Sequence, residues 1–401
     1  MSDQEEKAVG ARPLRAIVVG AGWAGEGHTV ALRAVGVQVV AMVGRTPEPT
    51  HARASQLGID AVRFDLPTAI REFKPDIVAI ATTAAPHCEM AVAAAAAGCH
   101  VVCEKPLAVN AVQARQMLQA VERAGVRHGY GATGCYAPSY IHMRELLADG
   151  LIGLLREIEY LQHWGPSPTV GPYGWFHQLN QGGGMLNTMF THMLQQVLLM
   201  TGGTVVAAGG HARQLVGTAP VGKVLHDCRE WFAAGLTREQ AAAAEQRAFD
   251  ADQNFTVMLQ LRMPDGHLAN ALVQITNEAA HPHGNGLALF GDASTLYLDV
   301  SSTDATIQHF DPGQGKWADV AIPQAVIDAL PAVEDPTQRG WNQLYREFCA
   351  DVRGEGATTY PTFRDGWVAV EVMDIVRRGS WTALSTDPSA GPRTTEREAT
   401  H

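Results

Sequence analysis

A chain of 401 residues is longer than one hydrophobic core usually supports, so two domains are expected. The formal net charge is −11 and no Lys/Arg run could track a phosphate backbone, which argues against a nucleic-acid partner. The opening residues lack an apolar signal region, residues 90–98 are too short to span a bilayer, and six cysteines show neither CxxC pairs nor zinc spacing. A reduced, cytoplasmic protein without membrane or metal is therefore expected.

Residues 1–11 are polar and read as a flexible N-terminus. Leu14–Val19 (LRAIVV) reads as a strand entering a glycine turn, and Glu26–Val35 as a helix. Strand-like runs recur at Val37–Val43, Asp76–Ala81 and His100–Cys103, with helical stretches between them. Such alternation predicts a parallel sheet of βαβ units, a Rossmann-type domain over residues 12–130.

After Tyr130 the pattern changes. A helix is expected near Ser139–Asp149, a strand at Leu155–Gln162 and a helix at 185–200. Alternating runs follow at Phe255–Arg262, His267–Thr276, Leu287–Phe290 and Thr295–Val300, separated by turns such as Asp265-Gly266. Together these predict an α/β domain with an open, mostly antiparallel sheet over residues 131–385. Residues 223–250 read as an Ala-rich helical insertion, and residues 386–401 as a disordered tail.

Gly20-Ala21-Gly22-Trp23-Ala24-Gly25 lies between the first strand and its helix, the context that gives GxGxxG its meaning. Gly20 permits the turn, Gly22 lets backbone approach a pyrophosphate, and Gly25 lets helix and strand pack closely. The second strand ends at Gly44-Arg45-Thr46, where dinucleotide folds usually carry a carboxylate for the ribose hydroxyls. Without that carboxylate, Arg45 is free to bind a 2′-phosphate, so NADP is expected in preference to NAD.

Glu104-Lys105-Pro106, at the end of the strand HVVC, is a further marker. With GAGWAG, Pro86-His87, the run Gly182-Gly183-Gly184…His192, the Asp265-Gly266 turn and YPTFRDG (360–366), it resembles the Gfo/Idh/MocA oxidoreductase family. The resemblance covers most of the chain. It implies hydride transfer with a nicotinamide cofactor on sugars, cyclitols and related polyols. It also implies a homodimer or homotetramer formed through the second domain's sheet. Cofactor contacts are expected from Gly20, Gly22, Trp23, Ala24, Gly25, Arg45, Thr46, Thr82, Pro86, His87, Glu104 and Lys105. Lys105 is implied beside the nicotinamide, before a bond to Pro106 that is commonly cis in the family.

Helical spacing places Thr188, His192, Gln195 and Leu199 on one face of the 185–200 segment. A buried histidine is often structural, but the resemblance puts His192 on the family's catalytic histidine and makes it a general base or acid beside Lys105. Thr188 stands where the family usually has Asp, and a hydroxyl cannot stabilise an imidazolium as a carboxylate does. Thr188, Tyr136, His163 and Trp175 are the expected substrate contacts, with Trp164 and His177 as weaker candidates. Cys135 replaces an arginine found in many relatives, so a neutral substrate is favoured. The three glycines read as a close-approach turn near nicotinamide or substrate, and Asp365 as either a site residue or a helix cap. Two alternatives stay open: a redox-neutral enzyme that oxidises a sugar transiently to cleave it, and a non-catalytic dinucleotide-binding regulator.

Overall fold

The computed structural model describes residues 12–164, 169–223, 225, 227–277, 284–300 and 305–384. The expected flexible start (1–11) and tail (386–401) lie outside the described residues.

The first domain alternates strand and helix: β1 (Arg15–Val19), α1 (Trp23–Ala34), β2 (Gln38–Val43), α2 (Pro47–Gln56), β3 (Val62–Arg63), α3 (Leu66–Phe73), β4 (Ile77–Ile80), α4 (His87–Ala96), β5 (His100–Cys103), α5 (Ala111–Ala124) and β6 (His128–Tyr130). The strands form one sheet in the order β3-β2-β1-β4-β5-β6, and every pairing is parallel. Alternate side chains serve opposite faces. Ile17, Val19, Ile80 and Val101 enter one core, and Ala16, Val18, Ala79 and Val102 the other. Both faces are thus covered, which is why these strands read as continuous apolar runs. Helix α1 begins at Trp23, three residues earlier than its apolar periodicity indicated, because the last turn of the glycine motif is itself helical.

The second domain opens with α6 (Pro138–Ala148), β7 (Leu155–His163) and β8 (Thr169–Val170). The segment expected as one helix over 185–200 divides into a π-helical turn, Leu186–Phe190, and α7 (Thr191–Thr201). Next come β9 (Thr204–Arg213), β10 (Thr218–Pro220), α8 (Cys228–Ala233), β11 (Leu236–Thr237), α9 (Arg238–Ala243) and β12 (Gln246–Ala248). The insertion expected to be helical is thus two six-residue helices, with β12 pairing β10 and β11 pairing β8. Gly235 breaks the helical run between them, where a Cβ would press on Thr169. The chain then forms β13 (Asn254–Arg262), β14 (Leu268–Thr276), β15 (Gly286–Gly291), β16 (Thr295–Asp299), β17 (Ile307–Asp311) and β18 (Lys316–Val320). It closes with α10 (Gln324–Asp328), α11 (Pro336–Arg353), α12 (Phe363–Arg378) and β19 (Thr382–Ala383).

The large sheet runs β18-β17-β16-β15-β7-β14-β13-β9-β19, with only β14–β7 parallel. Its inner face carries Ile158, Val257, Leu259, Val273 and Leu289, packed in one cluster with Phe190, Met193 and Val197. The outer face stays partly open, with Met258 and Leu268 exposed. After the sheet the chain returns to the first domain, where α11 packs on α1 and α12 packs on both α5 and β9.

Candidate active site

The glycine turn stands at the carboxyl ends of the parallel strands, where open α/β sheets bind ligands. Gly20 has φ +120°, and a Cβ there would run into the Ala81 carbonyl. A Cβ on Gly25 would meet the Gly20 carbonyl, so α1 lies directly on the turn. Gly22 caps α1 without a side chain, leaving the first N–H groups for an anion. A cleft of about 710 Å³ runs from this turn past Arg45 and Thr46, then Thr82 and Pro86. Phe64, Leu66 and Met90 add apolar walls, while Trp175, Gln181 and Cys228 close it from the second domain. Length, uncapped helix and apolar walls fit a dinucleotide.

An ionic clasp joins the two domains beside this cleft. Glu26 in the first turn of α1 would oppose an anion there. Arg53 contacts it at 2.6 Å, however, and also reaches Asp227 at 2.9 Å and the Ala21 carbonyl at 3.2 Å. Arg229 bridges the same two carboxylates at 2.6 and 2.8 Å. Two guanidinium groups thus offset two carboxylates across the mouth of the glycine turn.

Deeper in, a cavity of about 260 Å³ shares the wall of Trp23, Ala24 and Thr82 with the cleft. Lys105 and His192 both line it. The Lys105–Pro106 bond is cis. Lys105 Nζ donates to the Thr188 carbonyl at 3.2 Å. Burial lowers the Lys105 pKa, and the charge of Glu104 opposes that shift. Burial and then the Lys105 charge push His192 down to about 3, against a smaller pull from Glu104. The imidazole is therefore neutral near neutral pH, and its Nδ1 is buried without a hydrogen-bond partner among the described residues.

Glu104 is the carboxylate of this site. His28 Nε2 lies 3.1 Å from its Oε1, Trp341 Nε1 donates to the same oxygen at 2.9 Å, and the Lys105 N–H donates to Oε2 at 3.1 Å. Burial alone would raise the Glu104 pKa. The hydrogen bond and charge of His28, the Lys105 charge and the Trp341 N–H outweigh burial and hold it at about 2. His28 is fixed in turn by Tyr345, whose hydroxyl lies 2.7 Å from Nδ1.

Several expected contacts are placed otherwise. His87 is fully buried; its Nε2 faces the Thr82 carbonyl at 3.1 Å and its Nδ1 the Pro106 and Leu107 carbonyls at 3.1 and 3.2 Å. It ties the loop after β4 to the loop after β5 instead of lining the cleft. Glu104 and Lys105 line the inner cavity, not the dinucleotide cleft. Thr188 turns its hydroxyl back onto the Gly184 carbonyl at 2.9 Å, so only its own carbonyl meets Lys105. Tyr136 lines the cavity, but its hydroxyl donates to Glu347 at 3.0 Å. Trp175 stacks on Phe176 and lines the cleft, not the cavity. His163 ends β7, with its N–H donating to Asn285, and lines neither space.

The glycine run makes close approaches to neighbouring protein. A Cβ on Gly182 would press on Ala84, and one on Gly184 on the Asp252 carboxylate. That carboxylate caps the π-helical turn, accepting the Leu186 N–H at 2.7 Å and pairing with Arg377 at 3.0 Å. Asp365 accepts both the N–H and the hydroxyl of Thr362 at 2.7 Å, and so caps α12. Among the described residues no group of three His, Cys, Asp or Glu is placed to hold a metal, and no helix is long and apolar enough to cross a membrane.

The chain is 28% identical over 199 residues to levoglucosan dehydrogenase of Pseudarthrobacter phenanthrenivorans, which covers 46% of the chain and 50% of that protein. It is 28% identical over 219 residues to D-glucoside 3-dehydrogenase of Escherichia coli, covering 53% of the chain and 61% of that protein. The chain thus spans about half to three-fifths of these curated relatives. A solved levoglucosan dehydrogenase in complex with NADH and L-sorbose shares the fold, with a TM-score of 0.75 at 22% identity, over 94% of this chain and all of that one. The pattern of an oxidoreductase family with an NAD-binding Rossmann fold matches residues 14–132, and that of the GFO/IDH/MocA C-terminal domain matches residues 140–297. With the glycine turn, the Lys105-Pro106 corner and both domains in their places, the chain belongs to the Gfo/Idh/MocA oxidoreductase family.

Proposed function

We propose that this protein is a nicotinamide-dependent dehydrogenase that interconverts a secondary alcohol and a ketone on a neutral sugar, cyclitol or similar ring. One observation carries the reading: Lys105 and His192 line one cavity that shares a wall with the dinucleotide cleft. The relatives named above act on sugars, which points the same way. A nicotinamide bound in the cleft supplies the hydride acceptor or donor. Lys105 holds the reacting oxygen and, with the neutral His192 imidazole, shares its proton. Glu104 keeps a negative charge beside both groups, the electrostatic part of the task for which Thr188 has no carboxylate. Both proton-handling groups are present together, which counts against a non-catalytic regulator. Screening sugars and inositols for a change in NAD(P)H absorbance tests the reading; inactivity on every neutral ring alcohol would reject it.

We further propose that NADP is preferred. Arg45 lines the cleft, is exposed, and makes no hydrogen bond or ion pair among the described residues, which leaves its guanidinium available to a 2′-phosphate. NADP should bind more tightly than NAD, and Arg45→Ala should weaken NADP binding by about tenfold or more while changing NAD little, the usual weight of a charged hydrogen bond. Equilibrium titration of both cofactors checks this, and tighter NAD binding by the unaltered chain would overturn it.

The open outer face of the large sheet, with Met258 and Leu268 exposed, supports a homodimer or homotetramer formed through that sheet. All six cysteines are unpaired, which supports a reducing, cytoplasmic setting. A second reading draws on the clasp. A cofactor retained behind it could be reduced and reoxidised within one turnover, giving a redox-neutral cleavage or epimerisation, and product formation without accumulated NAD(P)H would favour that reading.

A further inference from the structure

Helix α11 carries no residue expected in the site, yet its first turns close the inner cavity through Pro336, Thr337, Gly340 and Trp341. The Trp341 ring is held on several sides. Trp23 meets it edge-on with ring centroids 5.0 Å apart, and the His28 ring lies 5.7 Å away. Gly27 leaves room for it: a Cβ at that position would run into the six-membered ring of Trp341. The indole N–H is committed to Glu104 at 2.9 Å. A ring fixed this firmly is a wall of constant shape.

The lining is of two kinds. Lys105, His192, Glu104, Thr82, Thr133 and Thr337 bring hydrogen-bonding groups. Trp23, Ala24, Ala137, Pro336 and the rings of Tyr136 and Trp341 bring apolar surface, with the Trp341 N–H turned to Glu104. The Tyr136 hydroxyl is already committed to Glu347, so this residue offers its ring rather than a polar tip. No arginine lines the cavity, and Lys105 is its only cation. A volume of about 260 Å³ suits one ring rather than two, since pockets for larger ligands run from roughly 300 to 1,000 Å³.

We propose that Trp341, with Trp23, is a specificity-determining residue. In this role it selects a neutral single-ring carbohydrate that presents an apolar face, such as an O-alkyl, anhydro or deoxy pyranose, over fully hydroxylated cyclitols and open-chain polyols. A ring with hydroxyls all round would leave some of them unpaired against the indole wall, whereas a capped or missing hydroxyl buries apolar surface there. The proposal rests on the dehydrogenase reading, and its test separates the two.

The probes are methyl α-D-glucopyranoside, myo-inositol and glucitol, with the cofactor saturating. Quenching of intrinsic tryptophan fluorescence reports binding, and NAD(P)H absorbance reports turnover. The unaltered protein should favour the methyl glycoside over inositol in kcat/KM by roughly tenfold or more, the usual weight of one apolar group in an apolar pocket. Trp341→Leu should bring that ratio near unity by raising KM for the glycoside. Trp341→Phe keeps an aromatic face but loses the N–H to Glu104, so it should preserve the ratio and lower kcat. A wild-type protein with no glycoside preference overturns the proposal whatever the variants do, as does an unchanged ratio in a folded Trp341→Leu. Preferential glycoside binding without turnover upholds the aromatic wall and rejects the dehydrogenase reading. Absence of any binding rejects the wall.

Discussion

Replacing Lys105 with Met should lower kcat by at least 10²- to 10⁴-fold, the usual contribution of a positioned proton-transfer group, while NAD(P)H binding changes only a few-fold. The geometry carries this expectation. Lys105 lines the inner cavity and not the cleft, so the methionine removes the donor to the reacting oxygen and leaves the walls of the dinucleotide site in place. His192→Ala should also depress kcat, and by less than an independent loss when combined with Lys105→Met, because both groups share one proton. The pH profile supplies a second check. The Glu104 charge raises the Lys105 pKa against burial, so Glu104→Gln removes that support. The limb of kcat/KM governed by Lys105 should then move to lower pH. Full activity in Lys105→Met, or a limb that moves to higher pH in Glu104→Gln, would refute the assignment of the proton-handling group.

The second large effect concerns stability. Asp252→Ala should destabilise the protein by about 3 kcal/mol. The substitution removes the acceptor for the buried Leu186 N–H and leaves Arg377 without its carboxylate. Arg377 is partly exposed and can recover some hydration, which keeps the loss below that of a fully buried pair. Asp252→Asn retains an acceptor for Leu186 and should lose less. Because this carboxylate fixes the start of the segment that carries His192, the alanine variant should lose turnover even at temperatures where it remains folded. Denaturant titration followed by kcat on the folded fraction checks both parts. Asn and Ala variants of equal stability would show that the cap contributes nothing.

What the sequence revealed divides by the distance between partners. The glycine turn and Lys105-Pro106 work through residues a few positions apart, so their chemistry could be read locally. Period-two alternation likewise disclosed β13 and β14, whose faces differ in burial. Trp341 could not be found that way, since it meets Glu104 across 237 positions and its own helix has the pattern of an ordinary packed helix. The π-helical turn was hidden for another reason. Its residues are apolar and helix-compatible, and what shapes it is Asp252, 66 positions away from Leu186. Thr188 looked like the weak point of the mechanism because it lacks a carboxylate. Next to Lys105 the structure places a carboxylate, Glu104, a residue the motif had already displayed but whose partners, His28 and Trp341, it could not.

The clasp of Glu26, Arg53, Asp227 and Arg229 has a mechanical meaning of its own. Its ion pairs tie the glycine turn to the segment that places Cys228 in the cleft wall, so they hold that wall to the first domain. Arg229 is half exposed, so its pairs weaken with salt, whereas the more buried Arg53–Asp227 pair is screened much less. Added salt should then loosen the outer half of the clasp first and leave the inner pair holding the wall.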